Sequence, residues 1–328
     1  MAKKQILLEA WDTGPSKYAL DIAVQAFGKN FGVTYFGNNP EIRPDVFEGV
    51  AFDCVIVGGP SSIERVRDSD VFDLARRREK PSFVACDVPV SYVRGNQGVI
   101  SDATAIVAYP RDVEGAKKYG YKDAVFLGYP SHWAKPNEIK PASLPDNFEG
   151  LKVFVCGNKQ ATITNNMLES TLNCLDSLGV DYRAYFQFHP SEIKETIQPE
   201  RRERLLSSKV TLIRGGSVPE LTRACNLSVL TGAATGIPEG ALMRLPMIYY
   251  TDDLAREYML KTTNEEIYSV AEEIMSIATP ETMRNVLENL ISGGDERERL
   301  EMQQEKAFPL QTEGHNTAKE IVDYIASF

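Results

Sequence analysis

The sequence predicts an α/β fold of two domains, each a parallel sheet with helices on both faces, the two sheets facing a central cleft. Three observations carry that expectation. Short apolar runs alternate with stretches of helical periodicity along the chain, the pattern of parallel strands buried on both faces. The alternation stops in a polar, proline-bearing stretch at residues 133–150 and then starts again. A chain of 328 residues also has the length of about two domains.

In the first half, residues 1–132, Gln5-Ile-Leu-Leu-Glu9 reads as a strand, followed by a helix near 17–27 and a strand at Gly32-Val-Thr-Tyr-Phe36. Asp53-Cys-Val-Ile-Val57, Ser82-Phe-Val-Ala-Cys86, Ala105-Ile-Val-Ala108 and Ala124-Val-Phe-Leu127 continue the series, which closes at Gly128-Tyr-Pro130. Residues 133–150 read as a linker. The second domain, 151–310, opens with the strand Leu151-Lys-Val-Phe-Val-Cys156, a turn and a helix at 166–178. Further strands are expected at 181–188, Val210-Thr-Leu-Ile213, Leu227-Ser-Val-Leu230 and Met247-Ile-Tyr-Tyr250. Beyond Tyr250 the pattern is helical, with helices expected at 264–277, 280–291 and 295–308. A last helix within 311–328 could pack back on the first half. Such Rossmann-like units bind ligands at the C-terminal ends of their strands.

Composition narrows the function. The net charge of −10 falls mostly in the second half, and an acidic chain without a basic run is a poor nucleic-acid binder. No apolar run reaches the roughly 20 residues that span a bilayer; a local patch for peripheral membrane contact stays open. Five cysteines lack CxxC spacing and three lie in strand-like runs, so reduced thiols and a cytoplasmic location are expected. There is no Walker lysine motif, no G-x-G-x-x-G in the first loop and no G-x-S-x-G elbow. Metal ligands at usable spacing are missing, so no metal cofactor is expected.

Four stretches carry candidate chemistry. Thr231-Gly-Ala-Ala-Thr-Gly-Ile-Pro-Glu239 is a small-residue turn leading into a helix. Gly232, Ala233, Ala234, Thr235 and Gly236 let backbone N–H groups approach an anion, and Glu239 stands where a sugar hydroxyl could donate to it. Phe188-His189-Pro190 ends a strand, where His189 could meet a phosphate; a surface histidine before a helix-starting proline fits equally. Arg214, Gly215 and Gly216, followed by Val218, form a loop ahead of a short helix, and Gly157-Asn158 opens the first turn of the second domain. In the first domain, Asp12 follows the first strand and Asp87 the fourth. Either carboxylate could act as a general base, although Asp12 also suits a helix cap.

The turn ending at Glu239, the His189-Pro190 pair and the Gly128-Tyr-Pro130 strand end resemble the GT-B superfamily of glycosyltransferases, whose architecture matches nearly the whole chain. The Glu239 stretch is similar to the helix entry of lipid-A-disaccharide synthases, and His189-Pro190 to the motif of glycerophosphotransferases. The resemblance implies metal-independent transfer of a sugar from a nucleotide-sugar donor to an acceptor hydroxyl, in surface polysaccharide or glycoconjugate synthesis. It places Glu239 at the ribose, His189 and the 232–236 turn at the diphosphate, the 214–218 loop at the nucleobase, and Asp12 (alternatively Asp87) at the acceptor. Sugar-nucleotide 2-epimerases share the fold, but their His-Arg-Arg-Glu-Asn and Asp-His-x-Glu-Ala-Gly segments are replaced here by Gly157-Asn158-Lys159 and Asp87-Val88-Pro89. A non-catalytic relative that binds a nucleotide sugar or a partner protein is the remaining alternative.

Overall fold

The structure, a computed structural model, describes residues 3–10, 13–37, 48–58, 70–94, 100–130, 133, 136–189, 199–234 and 236–328. The chain divides into two compact units, Met1–Trp133 with Gln311–Phe328, and Ala134–Leu310.

The first unit holds a six-stranded sheet: β1 (Gln5–Ala10), β2 (Gly32–Gly37), β3 (Cys54–Gly58), β4 (Ser82–Ala85), β5 (Thr104–Ile106) and β6 (Asp123–Val125). All pairs are parallel, in the order β2-β1-β3-β4-β5-β6. Alternation along each strand feeds two cores. Ile6, Leu8, Phe83 and Ala85 pack with Tyr18 and Ile22 of α1 (Thr13–Gly28) and with Ile321, Val322 and Ile325 of the C-terminal helix Thr317–Ala326. Leu7, Val55, Val57 and Val84 face the other way, onto Val71 and Phe72 of α2 (Asp70–Arg77) and Ala116 of α3 (Asp112–Tyr119). Each large aliphatic side chain of the C-terminal helix buried here contributes about 1.5–3 kcal/mol. The segment leading into that helix is seated on Gly128, whose φ of +125° and missing side chain are both needed. A β-carbon there would stand 2.5 Å from Thr317 Oγ1 and against the Gln311 and His315 side chains.

The second unit holds β7 (Leu151–Cys156), β8 (Tyr182–Gln187), β9 (Val210–Leu212), β10 (Leu227–Leu230), β11 (Met247–Tyr250) and β12 (Ser276–Ala278), all parallel in the order β12-β11-β10-β7-β8-β9. Its helices are α4 (Ala161–Leu178), α5 (Pro199–Leu205), α6 (Val218–Ala224), α7 (Gly236–Leu242), α8 (Asp253–Thr263), α9 (Ser269–Ile274), α10 (Met283–Ile291) and α11 (Asp295–Ala307). Val153, Val155, Phe186, Val229 and Ile248 form one core with Met167, Leu168 and Leu172 of α4 and Leu287 of α10. On the opposite face Phe154 and Tyr185 meet Leu221 of α6 and the apolar side chains of Ala142 and Leu144. Residues 136–149 are therefore fastened along this sheet. The Ala142 N–H donates to Glu220 O (2.9 Å), Arg223 donates to Pro136 O (2.6 Å), and Tyr185 Oη donates to an Asp146 carboxylate oxygen (2.5 Å).

One expectation fails beyond Tyr250. The helix expected at 264–277 is instead the cap that closes α8, then α9, then the edge strand β12. Asn264 closes α8 in the left-handed conformation (φ +63°) rather than opening a helix, a role asparagine fills almost as readily as N-cap. Strand β12 is three residues long, too short for a period, and is fixed by pairing of Ile248–Tyr250 with Ser276–Ala278.

Candidate functional site

In the second unit the chain turns from one side of β7 to the other, so strand order reverses between β7 and β10. Ligands of open parallel sheets bind outside the strand C-termini at such a point. The two loops that leave it are Gly157-Asn158 after β7 and Thr231–Ala234 after β10. They meet closely. Gly232 has a φ of +73°, and a β-carbon on it would lie 2.6 Å from Asn158 Nδ2.

Asn158 is buried and firmly held. Its N–H donates to Thr164 Oγ1 (2.8 Å), and its Oδ1 accepts from the Gln160 N–H (2.9 Å). Because Oδ1 must be the acceptor there, the amide orientation is set by the network and Nδ2 faces the Gly232 turn. No protein acceptor takes its protons among the described residues. An oriented donor pair beside a glycine turn is suited to an anionic oxygen. Tyr258 of α8 also flanks Gly232, its ring 3.9 Å from the same β-carbon position.

His189 follows β8 and is half-buried. Burial, and then the charge of Lys159, hold its pKa below the ordinary imidazole value, so the ring is neutral at neutral pH and offers one N–H. Pro190 lies outside the described residues. Glu239 is buried in the first turn of α7. Gly236, at the start of that helix, lets Val218 of α6 pack directly against it, so Val218 serves helix packing here. Ala233 and Ala234 are half-buried in the turn, and Thr235 lies outside the described residues. Next to this turn, burial pushes the Tyr249 phenol up, opposed by the backbone amides of Tyr268 and Gly232.

Arg214, Gly215 and Gly216 line a cavity of about 460 Å³ with Lys140, Pro141 and Ser143. Both glycines are left-handed, with φ of +95° and +80°. Gln187, the last residue of β8, donates from Nε2 to their carbonyl oxygens at 3.2 and 3.1 Å and so shapes the loop. Ser217 and Glu220 then form a reciprocal cap on α6.

In the first unit Asp12 lies outside the described residues. Asp87 is buried just past β4, its carbonyl accepting from Trp133 Nε1 at 3.0 Å. The neighbouring Tyr18 phenol is pushed up by burial first and then by the nearby Cys86, Asp87 and Asp21. Three residues on, Val90 has a φ of +61°, which costs a β-branched residue on the order of 1–3 kcal/mol. The buried carboxylate of Asp112 accepts its N–H at 2.6 Å. Among the described residues no group of three or more His, Cys, Asp or Glu is placed to hold a metal ion. No helix among them is long and apolar enough to cross a membrane.

No protein-family model and no curated protein matches this chain. Solved structures do. The Acinetobacter baumannii MurG structure matches with a TM-score of 0.63 at 14% identity, over 99% of this chain and 100% of that one. The S. aureus MnaA-UDP co-structure matches with a TM-score of 0.66 at 12% identity, over 98% of this chain and 96% of that one. Arabidopsis thaliana UGT89C1 complexed with UDP matches with a TM-score of 0.60 at 12% identity, over 99% of each chain. This is the GT-B fold.

In the second unit, two pairs of the loops singled out in the sequence meet. The Asn158 and Gly232 loops adjoin, and Gln187 links the strand end before His189 to the Gly215-Gly216 loop. Sequence reasoning missed Gln187, Tyr258, Asp112 and Val90, whose importance lies in what they touch. It also passed over Glu9, a buried carboxylate near the end of β1, for which a charge inside an apolar strand run was the available signal.

Proposed function

We propose that the protein transfers a sugar from a nucleotide-sugar donor to a hydroxyl-bearing acceptor without a metal ion, in surface polysaccharide or glycoconjugate synthesis. The observation that carries this reading is the spare amide of Asn158 against Gly232 at the strand-order reversal. A diphosphate needs donors that are in place before it arrives. Asn158 Nδ2 and the backbone N–H groups of Ala233, Ala234 and Gly236 would supply them, with His189 and the nearby Lys159 charge alongside. These groups would stabilise the negative charge that grows on the leaving nucleotide as the glycosidic C–O bond breaks.

Glu239 would accept from the ribose hydroxyls, and the cavity beside Arg214, Gly215 and Gly216 would take the nucleobase. The base that receives the acceptor proton would come from the first unit, as Asp12 or Asp87. The UDP bound in the MnaA and UGT89C1 structures supports uridine nucleotides as the first ligands to try.

The test is calorimetric titration with UDP-, GDP-, CMP- and dTDP-sugars, followed by an assay for nucleotide release. Binding with release that depends on a hydroxyl compound supports the transferase. Conversion of the bound sugar at C2 would identify a 2-epimerase, and binding without turnover a non-catalytic binding protein. No binding of any nucleotide sugar overturns the reading.

A further inference from the structure

The first unit contains a strained turn, with Val90 buried and left-handed at a φ of +61°. Residues Asp87-Val88-Pro89-Val90 leave the C-terminal end of β4, the edge of the sheet at which ligands of parallel sheets bind. Valine is among the residues least suited to a φ of +61°. It stays there because the surroundings over-determine it. The Asp112 carboxylate, itself 5% exposed, takes the Val90 N–H at 2.6 Å. Ser91 Oγ donates to Val88 O at 2.7 Å, and the Trp133 indole donates to Asp87 O at 3.0 Å while its ring stacks on Tyr129. A glycine at 90 would reach the same backbone without help. Strain held in this way collects at binding and catalytic turns, where one conformation of a side chain matters more than stability.

We propose that Asp112 is a positioning residue. By holding Val90 in the left-handed conformation it fixes the turn that carries Asp87, so that this carboxylate stands in one place for the hydroxyl-bearing co-substrate. The inference rests on the transferase reading above and goes beyond it: it assigns the acceptor-side geometry to Asp112, which lies in none of the candidate motifs read from the sequence. Asp112 itself touches no substrate.

The experiment compares wild type with Asp112→Ala, Asp112→Asn and the double variant Asp112→Ala/Val90→Gly, using whichever nucleotide sugar wild type turns over. Nucleotide release gives turnover, calorimetry with the free nucleotide gives donor-site affinity, and thermal melting reports folding. Asp112→Ala is expected to lose at least tenfold in kcat, within the roughly 10²-fold that a misplacement of about 1 Å costs, with nucleotide affinity within about twofold of wild type. Asp112→Asn keeps an acceptor oxygen for the Val90 N–H and is expected to recover most of the loss. The double variant is expected to recover part of it, because glycine reaches the left-handed backbone unaided. A merely structural carboxylate would show in the melting temperature without a tenfold loss of kcat at unchanged nucleotide affinity.

If Asp112→Ala turns over like wild type, or if the double variant is no better than the single, the proposal is overturned. Should Asp112→Ala fail to fold, the double variant decides: folding and activity restored by glycine support the role, and failure of both overturns it. A wild type that binds no nucleotide removes the transferase reading together with the inference. Failure of the inference alone leaves wild-type binding and turnover in place.

Discussion

The amide nitrogen of Asn158 lies 2.6 Å from where a β-carbon would stand on Gly232, so the loops after β7 and β10 fit together only because residue 232 has no side chain. Gly232→Ala would meet two obstacles at once. The left-handed backbone costs an L-residue about 1–2 kcal/mol, and the new methyl must displace an amide already tied to Gln160. The expected result is a lower melting temperature and a nucleotide affinity reduced at least tenfold. A variant that melts and binds as wild type does would mean that the two loops move independently.

Asn158→Asp separates the scaffold from the ligand. A carboxylate still accepts from the Gln160 N–H, and the backbone bond to Thr164 is untouched. What changes is the group facing Gly232, from a donor to a negative charge. Melting should fall by the cost of burying that charge, while nucleoside diphosphate binding to the folded protein falls by more than the roughly 1.5–3 kcal/mol of one charge-assisted hydrogen bond, since repulsion adds to the loss. Unchanged binding in a calorimetric titration would remove the phosphate from this loop.

Strands were legible because parallel strands are apolar on both faces and are punctuated by Gly and Pro. Leu151–Cys156 and Met247–Tyr250 end where their sequences say they should. Strand β12 was not, because Ser276–Ala278 becomes a strand only through its neighbour Tyr249. Asn264 was misread because the same side chain suits either end of a helix. In the second unit, Asn158, Gly215, Gly216 and Gly232 stand out as turn residues, so their loops were visible. Gln187 and Asp112 act at a distance in sequence, 28 residues from Gly215 and 22 from Val90, and no local pattern marks such partners.

The lowered pKa of His189 gives the candidate donor site a pH signature. Burial and Lys159 disfavour the imidazolium, so the free protein binds its proton less readily than an unfolded chain does. Stability from this group is therefore complete above the unfolded value of about 6.5 and is lost as pH falls through the depressed folded value. A diphosphate beside the ring reverses the preference and draws a proton in on binding. Nucleotide affinity should rise as pH falls from about 8 to about 6, and His189→Ala should flatten that dependence. Identical pH profiles for the two proteins would place His189 away from the diphosphate.

Gly128 tests how the C-terminal segment is held. Gly128→Ala would push a methyl against Gln311, His315 and Thr317 at a φ of +125°, and would disturb the 3.1 Å contact between His315 Nε2 and Leu127 O. Overpacking of this kind typically costs about 1–3 kcal/mol. Faster backbone hydrogen exchange in residues 311–328, with exchange in 151–300 unchanged, is the expected pattern. Equal protection throughout would show that the segment can shift without losing its seat.

Glu239 carries the most direct consequence of the proposed donor site. It is buried in the first turn of α7, one turn past the small residues that adjoin Asn158, and its helix packs on α6 through Gly236 and Val218. A carboxylate so placed can accept from both hydroxyls of a ribose, and each charge-assisted bond is worth about 1.5–3 kcal/mol. Glu239→Ala should therefore weaken nucleotide binding by at least about tenfold, the equivalent of 1.4 kcal/mol. Glu239→Gln, which keeps the shape and one acceptor oxygen, should lose less. A 2′,3′-dideoxynucleotide gives the reciprocal check, because wild type should bind it as weakly as Glu239→Ala binds the parent nucleotide. If the variant loses affinity for the parent and the dideoxy analogue equally, the carboxylate supports the turn and does not touch the sugar.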